Sequence, residues 1–418
     1  MSFSWKLAAN KLPHWAQTAG IALALVLLAP VFAVLWALPY VVPKRNDLIL
    51  LIPRFGGALN GNLKYFLLYL HKRHAADCRF FFLTRRREVA RLLQEQGLPA
   101  IFHPSLRSIA ALLRARSVVV ESTDWWHRFQ SLLAGCATKY QIWHGNGMKH
   151  VSLSNKRIAE KLSGARLLRL AIALRNVYPT YDVVFFCSRL QRERRSNSFR
   201  MKRAELNGQP RNDMLFNAGP DEDIIGCDVR VLCLLRDARA AGKGTILFCP
   251  TWRPPASPQP VDAIDFDALD FFAQRSNLLI VWKPHPKDRR TVDERAAVIV
   301  ADKDSDSYPL MRSADCLVTD YSSIYTDFLL LDRPVVFFPY DRNEYLAARG
   351  IQHDYDAITP GPHARCQDEL ENILREIVVD GKDHYALERE RVCRDFWEYR
   401  DGKSSERLFA IIRSRAGF

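Results

Sequence analysis

The sequence lacks the short signatures that mark several large enzyme and binding classes. It has no GxxxxGK followed by serine or threonine, no complete GxGxxG and no HExxH. A P-loop, the usual dinucleotide fingerprint and a zincin metal site are therefore not indicated. The nine cysteines are scattered singly, with no CxxC pair. This pattern argues against a disulfide framework or a zinc site and favours a reducing compartment.

Acidic residues are outnumbered by basic ones. The chain has 60 lysines and arginines against 46 aspartates and glutamates, a net charge of +14. Such an excess suggests a polyanionic partner, which is an anionic membrane surface, a phosphate-rich substrate or nucleic acid. Because no nucleic-acid module is recognisable, nucleic acid is not an expected partner. A chain of 418 residues is too long to fold around one ordinary hydrophobic core, so two folded domains are expected.

The longest apolar run covers residues 21–42 and is interrupted only by Pro30 and Pro39. As a helix it is long enough to span ~30 Å of hydrocarbon. A cleaved signal peptide is disfavoured because the following Pro43, Lys44 and Arg45 make a poor cleavage site. A hairpin lying in one leaflet is the alternative, and basic residues on both sides leave the orientation open. We expect residues 1–46 to associate with a membrane.

Short β-rich runs alternate with helical segments from residue 47 onward. This alternation is typical of a doubly wound parallel sheet. It predicts an α/β fold with a first domain at 47–215, a second at 240–380 and terminal helices at 381–418. Strands are predicted at 48–52, 80–83, 101–102, 118–120, 140–143, 183–187, 245–249, 278–282 and 298–300.

A basic region interrupts the first domain. Residues 156–172 combine an apolar helical face with lysines and arginines, which suits either an interfacial helix on anionic lipid or an ordinary helix with a solvated face. Residues 189–203 are also rich in arginine and lysine. We expect a solvated helix there, with contact to lipid headgroups or a polyanionic acceptor as the alternative.

The second domain is organised around residues 316–341. An apolar strand at 316–318 leads into a turn with Asp320, Ser322 and Ser323, then a helix, and a second strand at 335–338. The turn lies at the amino end of the helix, where unpaired N–H groups and the positive end of the dipole suit a phosphate. An ordinary helix cap is the alternative.

Three other predicted strands also end in polar residues. His144 follows one of them, Thr251 and Arg253 follow another, and Lys283 and His285 follow a third. Ligands bind at the carboxyl ends of strands in open α/β sheets, so these loops are expected to converge with the serine turn. Acidic clusters at 265–267 and 302–306 are typical of surface loops, and neither a metal nor a cofactor is predicted.

An ordered set of motifs carries a family resemblance. The set comprises His144-Gly145 with Lys149, residues 208–213 (GQPRND), 250–253 (PTWR), 283–286 (KPHP), 319–323 (TDYSS) with Asp327, Arg333-Pro334, Tyr340-Asp341 and 401–407 (DGKSSER). Residues 47–415 thereby resemble the CDP-glycerol glycerophosphotransferase family, which includes the teichoic acid primases and polymerases. The resemblance implies a GT-B fold: two Rossmann-like domains, the second binding a CDP-alcohol and the first facing the acceptor. The apolar run at 21–42 is a departure, since the family usually associates with the membrane without a clear span.

The implied reaction is attack of an acceptor hydroxyl on the β-phosphorus of CDP-glycerol, with CMP leaving. The resemblance assigns His144 as general base, and histidine is suited to that task near neutral pH. The catalytic prediction is His144 and His285, and the substrate-binding prediction is Arg211, Thr251, Arg253, Lys283, Asp320, Ser322 and Ser323. Arg211 has an equal alternative as a salt bridge at the domain junction, and Asp320 and Asp327 are expected to cap or orient their loop.

The implied partners are a CDP-alcohol, a lipid-linked or polymer acceptor and the cytoplasmic face of the cell membrane. Two rival functions remain at this point. One is a GT-B glycosyltransferase that uses a nucleotide sugar, and the other is a non-catalytic membrane protein that binds an anionic polymer. Retention of both histidines in their motifs argues against the second rival.

Overall fold

The computed structural model describes residues 30, 33–54, 56–123, 125, 130–146, 180–217, 224–255, 257–349 and 354–418. Two β-sheets dominate these residues, and every strand pairing within them is parallel. The α/β fold expected from the sequence is confirmed. The basic region at 156–172 lies outside the described residues.

The first sheet has seven strands: β1 Arg45–Ile52, β2 Arg79–Thr84, β3 Ala100–Phe102, β4 Ala115–Val120, β5 Thr138–Gln141, β6 Tyr181–Phe186 and β7 Met201–Leu206. Their order across the sheet is β3-β2-β1-β4-β5-β6-β7. The carboxyl-terminal halves of its central strands β1 and β4 are apolar and buried, as expected when helices cover both faces. In β1, for example, Leu50 and Leu51 are inaccessible to solvent and lie opposite Val118 and Val119 of β4.

The second sheet has five strands: β8 Gly244–Cys249, β9 Leu278–Trp282, β10 Val298–Val300, β11 Cys316–Thr319 and β12 Val335–Phe337. Their order across the sheet is β10-β9-β8-β11-β12. The chain crosses from one side of β8 to the other between β10 and β11, so the carboxyl ends of β8 and β11 flank a topological switch point, where ligands bind in such sheets. Both strand predictions of the 316–341 unit are confirmed.

Helices cover the sheets and close the carboxyl end of the chain. The helix predicted after the serine turn is shorter than its apolar pattern suggested and continues as a 3-10 turn at Leu329–Leu331. The α-helices are α1 Asn62–His74, α2 Arg87–Glu95, α3 Leu106–Arg114, α4 Gln130–Leu133, α5 Arg189–Arg195, α6 Pro210–Asn217, α7 Val229–Ala240, α8 Phe266–Arg275, α9 Tyr308–Ser313, α10 Ile324–Phe328, α11 Arg342–Arg349, α12 Tyr355–Ile358, α13 Gln367–Leu374, α14 Ala386–Phe396 and α15 Ser404–Ala416.

The hydrophobic core runs across the junction of the two sheets. One buried cluster joins Leu51 and Phe66 of the first half to Leu247 and Leu317 of the second. Two further clusters fill the outer face of each sheet. The two halves therefore share apolar packing and are not linked by loops alone.

The last helix returns to the first sheet. The side chain of Asp213, in the 208–213 motif, accepts hydrogen bonds from the backbone N–H groups of Ser404 and Ser405 at 2.8 and 2.7 Å. These N–H groups belong to the first turn of α15 and have no acceptor within the helix. A carboxylate is a favourable acceptor there, because it also interacts with the positive end of the helix dipole. Phe409 of the same helix stacks on His74, with ring centroids 3.9 Å apart. The 208–213 and 401–407 motifs thus meet in space.

Residues 189–203 do not form the single solvated helix that was predicted. Helix α5 ends at Arg195, a 3-10 turn follows, and the edge strand β7 begins at Met201. Arg195 is buried and donates to the carbonyl oxygen of Gly145. The basic side chains at 202 and 203 face solvent from the strand, so charge alone did not distinguish helix from edge strand.

The strand predicted at 140–143 ends two residues early, at Gln141. Trp143 adopts a left-handed conformation with φ of 49°, and its backbone N–H donates to the side-chain oxygen of Gln141 at 2.9 Å. The hydrogen-bond ladder of β5 ends here, because the backbone N–H of Trp143 bonds to this side chain and not to a neighbouring strand. His144 is thereby turned away from the direction of the strand.

Within the described ranges, no helix is both long and apolar enough to cross a membrane. Of the predicted membrane segment, residues 21–29 and 31–32 lie outside those ranges. Residues 33–41 are helical, and Leu35, Leu38 and Val42 pack against the outer core of the first sheet.

Candidate functional site

A cleft of about 710 Å³ lies between the carboxyl edges of the two sheets. The loop after β1 and the loop after β5 form one wall, and the loops after β8, β9, β10 and β11 form the other. Six predicted site residues line this cleft: His144, Arg211, Lys283, His285, Ser322 and Ser323. The convergence expected at the strand ends is therefore present for these six.

His144 stands on the wall formed by the first sheet, with its tautomer set by the backbone. Its ring Nδ1 lies 3.0 Å from the carbonyl oxygen of Glu121, which can only accept, so Nδ1 carries the proton. The lone pair of the neutral ring is then on Nε2. Burial, reinforced by the positive charge of Arg54, lowers the pKa of His144 to about 3. The imidazole is consequently neutral throughout the physiological range, with the lone pair on Nε2 unprotonated.

His285 stands on the opposite wall with the reverse tautomer. The backbone N–H of Lys287 donates to its Nδ1 at 3.1 Å, so a neutral ring holds its proton on Nε2. One cleft thus combines a histidine that presents an acceptor nitrogen with a histidine that presents a donor. That pairing is suited to taking a proton on one side and donating a hydrogen bond to an anion on the other.

Hydrogen bonds from several structural elements hold the loop that carries His144. Asn62 donates from Nδ2 to the carbonyl oxygen of Trp143 at 2.7 Å, and Thr326 donates to the carbonyl oxygen of Asn146 at 3.2 Å. Asn146 in turn donates to the carbonyl oxygen of Phe396 at 2.5 Å. Because these partners come from both halves of the molecule, the position of the histidine depends on how the halves are docked.

Arg211 joins the two walls through a buried ion pair. Its guanidinium donates to the carbonyl oxygen of His144 at 2.5 Å and to the carboxylate of Asp327 at 2.8 Å. Tyr308 donates to the same carboxylate at 2.7 Å. The charge of Asp327 helps to raise the pKa of Arg211 above its ordinary value, against the opposing effect of burial. The salt-bridge alternative for Arg211 is therefore observed, and its contact with phosphate stays a prediction.

A second buried ion pair crosses the same junction. The ammonium of Lys64 donates to the carboxylate of Asp306 at 2.6 Å, and both side chains are 1% exposed. Tyr65 adds a hydrogen bond at 2.8 Å. Breaking such pairs leaves uncompensated buried charge, so they fix the relative position of the two walls.

Three predicted site residues lie outside the cleft lining: Thr251, Arg253 and Asp320. The guanidinium of Arg253 is 1% exposed and donates to Asp320 at 2.9 Å and to Asp341 at 2.6 Å. Asp320 also accepts the backbone N–H of Thr251 at 2.9 Å. These residues tie the loops after β8, β11 and β12 together beneath the cleft.

Lys283 and the two serines line the cleft, although Lys283 is only 4% exposed. Lys283 donates to the carbonyl oxygens of Asp302 and Lys303 at 2.7 and 2.9 Å, and burial lowers its pKa. Ser323 directly precedes helix α10 and its hydroxyl makes no capping hydrogen bond, so the alternative of an ordinary cap is not observed for this side chain. A Cβ added to Gly145 would lie 3.3 Å from the hydroxyl oxygen of Ser323. The serine turn therefore lies directly against the loop of His144.

Sequence reasoning missed Glu121 and Asn62. Glu121 is inaccessible to solvent, and its two carboxylate oxygens accept the backbone N–H groups of Arg54 and Asn62 at 3.2 and 3.0 Å. Burial raises its pKa. Glu121 directly follows β4, so the rule that singled out His144 would also have found it. No sequence signal indicated Asn62, because its partners are distant in the chain.

Two parallel α/β domains that face each other across such a cleft define the GT-B class of fold. The chain belongs to the CDP-Glycerol:Poly(glycerophosphate) glycerophosphotransferase family, whose model matches residues 34–414. The family expected from the motifs is confirmed.

Curated relatives place the chain beside enzymes of teichoic acid synthesis. It is 26% identical over 333 residues to a teichoic acid glycerol-phosphate transferase of Staphylococcus aureus, covering 77% of this chain and 82% of that protein. It is 29% identical over 209 residues to a teichoic acid poly(ribitol-phosphate) polymerase of Bacillus spizizenii. That match covers 48% of this chain and 32% of the polymerase, so the chain spans about a third of that longer protein.

The fold matches the wall teichoic acid polymerase TagF. A structure of a TagF variant soaked with CDPG has a TM-score of 0.70 and 22% identity, covering 90% of each chain. At this identity the likeness shows the fold, and the chemistry is argued below from the residues of this chain.

Proposed function

We propose that this protein transfers a glycerol-phosphate unit from CDP-glycerol to a hydroxyl of a cell-surface polymer or lipid-linked acceptor and releases CMP. Family membership and the teichoic acid relatives support this reaction class. The observation that carries the proposal is the pair of histidines with opposite tautomers on the two walls of one cleft.

The proposed chemistry follows from that pair. The acceptor hydroxyl gives its proton to Nε2 of His144 as its oxygen bonds to the β-phosphorus of the donor. The bond from that phosphorus to the bridging oxygen breaks, and CMP leaves with the electron pair. His285 donates from Nε2 to a phosphoryl oxygen, and Ser322, Ser323 and Lys283 hold the diphosphate. Fixed donors of this kind stabilise charge that develops in the transition state.

The decisive assay is CMP release from CDP-glycerol with a membrane fraction as acceptor, with CDP-ribitol and UDP-sugars run in parallel. We expect CMP from one CDP-alcohol and no UDP from any sugar nucleotide. Release of UDP instead would support a glycosyltransferase. Absence of turnover with every donor would contradict the proposal.

The depressed pKa of His144 predicts a distinctive pH dependence. Only the neutral ring accepts a proton, and in the empty cleft it stays neutral as pH falls from 8 towards 3. Bound diphosphate adds negative charge beside the ring, which favours the imidazolium and raises the pKa. Since kcat/KM reports the free enzyme and kcat the substrate complex, the acid limb of kcat should lie at higher pH than that of kcat/KM. Coincident limbs near pH 6.5 would contradict this assignment.

We further propose that the protein attaches to the cytoplasmic face of an anionic membrane. In the helix at 33–41, Trp36 and Tyr40 are 59% and 63% exposed, and their ring centroids are 5.1 Å apart. Exposed tryptophan and tyrosine rings, which are apolar with one polar group, are typical of membrane interfaces. The exposed arginines of α5 add positive charge. Each basic residue near an anionic membrane contributes about 1 kcal/mol to the free energy of binding.

This attachment predicts two separable effects in vesicle sedimentation with the full chain. Raising salt should weaken binding to phosphatidylserine vesicles, because salt screens exposed charge. Replacing both aromatic residues by alanine should weaken binding that persists in high salt. The control is Leu387→Ala, a side chain 88% exposed on α14. Equal binding by all proteins at every salt concentration would contradict attachment through these features.

A further inference from the structure

The first-domain wall of the cleft carries two arginines that the mechanism above does not use. Arg54 comes shortly after β1 and Arg86 shortly after β2, and both line the cleft together with His144. The mechanism assigns the diphosphate of the donor to the opposite wall, so the two arginines lie on the side from which the acceptor reaches His144. Glu88 also lines this wall, and its single negative charge leaves the arginine pair in excess.

Hydrogen bonds join the loop after β1 to the loop after β2. The backbone N–H of Arg85 donates to the carbonyl oxygen of Gly56 at 2.8 Å, and the hydroxyl of Thr84 donates to the carbonyl oxygen of Gly57 at 3.0 Å. The same hydroxyl oxygen accepts the backbone N–H of Arg86 at 3.1 Å. Gly57 has a φ of 102°, and a Cβ added to it would overlap Thr84. The relative position of the two loops is therefore built into the fold.

Glu121 connects Arg54 to the proposed base. Its carboxylate accepts the backbone N–H of Arg54 at 3.2 Å, and its backbone carbonyl oxygen lies 3.0 Å from Nδ1 of His144. The carbonyl oxygen of Arg54 accepts the backbone N–H of Gly57 at 3.0 Å, which closes the turn on its other side. One buried residue thus fixes the backbone of the cation and the ring of the base.

The charges that act on His144 come from arginines. Arg54 has the largest effect, followed by Arg211 and Arg195, and each of them lowers the pKa of His144. When His144 takes the proton of the acceptor, a positive imidazolium forms close to the positive Arg54. Nearby like charge disfavours the charged form of a base, and a bound anion offsets that effect. The reaction therefore gains from an acceptor that brings its own negative charge to this wall.

We propose that Arg54 and Arg86 bind the phosphate nearest to the attacking hydroxyl, so that the acceptor is a polyol phosphate and not a neutral saccharide. This inference rests on the proposed function. A guanidinium suits the task because it can donate two parallel hydrogen bonds to phosphate oxygens. In a polyol phosphate the hydroxyl is only a few bonds from the phosphate, so it can reach Nε2 of His144 while the arginines hold the anion. The product of one transfer ends in the same two groups, so it can serve as the acceptor of the next.

Two soluble acceptors test this assignment with the full chain and saturating CDP-glycerol. We expect the kcat/KM of CMP release to be higher with glycerol 3-phosphate than with glycerol by about 100-fold, since each hydrogen bond to a charged group contributes roughly a factor of 10 or more. Arg54→Gln and Arg86→Gln should each lower the value for glycerol 3-phosphate by about 10-fold. Neither change should lower kcat/KM for glycerol or raise the KM of CDP-glycerol. Arg54→Lys keeps the charge and should retain most of the preference.

Arg79→Gln is the matched control, because Arg79 lies at the opposite end of β2 with 62% of its side chain exposed. It should behave as the wild-type chain, and thermal unfolding shows whether each variant is folded. Should only membranes serve as acceptor, calorimetry with the chain saturated by CDP decides. Glycerol 3-phosphate should then bind more tightly than glycerol and lose about 10-fold in affinity in each glutamine variant.

Equal use, or equal binding, of glycerol 3-phosphate and glycerol by the wild-type chain would overturn the acceptor-phosphate site. So would glutamine variants that keep the full preference, or that lose affinity for CDP-glycerol to the same extent. Continued CMP release with membranes would in those cases leave the proposed function standing. No CMP from CDP-glycerol with any acceptor, membranes included, would contradict the proposed function and this inference with it.

Discussion

Replacement of His144 by alanine is expected to lower kcat by about 10²–10⁴-fold, the usual contribution of a general base. The lone pair on Nε2 is the only feature of the proposed mechanism that removes the proton of the acceptor. The donor is held by the opposite wall, so the dissociation constant of CDP-glycerol should change little. Single-turnover CMP release and calorimetric binding of the donor measure the two quantities separately.

His71→Ala is the control for that experiment, because His71 is exposed at the end of α1 and lies outside the cleft lining. It should retain full kcat and full donor affinity. If His144→Ala loses donor binding and turnover together, the residue holds the donor and is not the base. If it loses neither, the proton acceptor is another group.

Arg211→Met should lower the free energy of unfolding by about 3–5 kcal/mol, the usual result of breaking a buried ion pair. The substitution leaves the carboxylate of Asp327 with its hydrogen bond from Tyr308 but without its ion-pair partner. It also removes the donor to the carbonyl oxygen of His144. Both side chains of the pair are at most 4% exposed, so solvent cannot replace the guanidinium. Urea unfolding measures the change.

A double variant separates stability from catalysis. Arg211→Met combined with Asp327→Leu removes both charges and should recover most of the lost stability, because apolar replacements of buried pairs are often tolerated. Turnover should stay low, since the loop of His144 still lacks its donor. Arg400→Met, which breaks the exposed pair with Glu390, should cost less than about 1 kcal/mol. Full activity in the double variant would show that Arg211 does not position the histidine.

Most strands were predictable because they are short apolar runs between turn residues, as β11 and β12 illustrate. The end of β5 was not, because the turn at Trp143 depends on the side chain of Gln141 and on Asn62, which lies far away in the chain. The prediction of one helix at 189–203 was wrong for a related reason. Arginines suit an exposed helix and an exposed edge strand equally, and pairing with β6 decided the outcome.

The site was predictable where a reactive or charged side chain directly follows a strand in the sequence. That rule brought His144, His285 and Ser323 to one cleft. It could not distinguish residues that line the cleft from residues that hold loops, since Arg253 was predicted to bind substrate yet is enclosed by Asp320 and Asp341. Burial decides between these roles, and burial is a property of the assembled fold.

The return of α15 to the first sheet has a consequence for folding. Leu408 and Ile412 of that helix are inaccessible to solvent within the core shared by both halves, and its first turn is satisfied by Asp213. A polypeptide cut between the two sheets would therefore leave the amino-terminal piece with an open apolar groove and an unmatched carboxylate. The two pieces should fold only when mixed, as complementing fragments, and the intact chain should unfold in one cooperative transition.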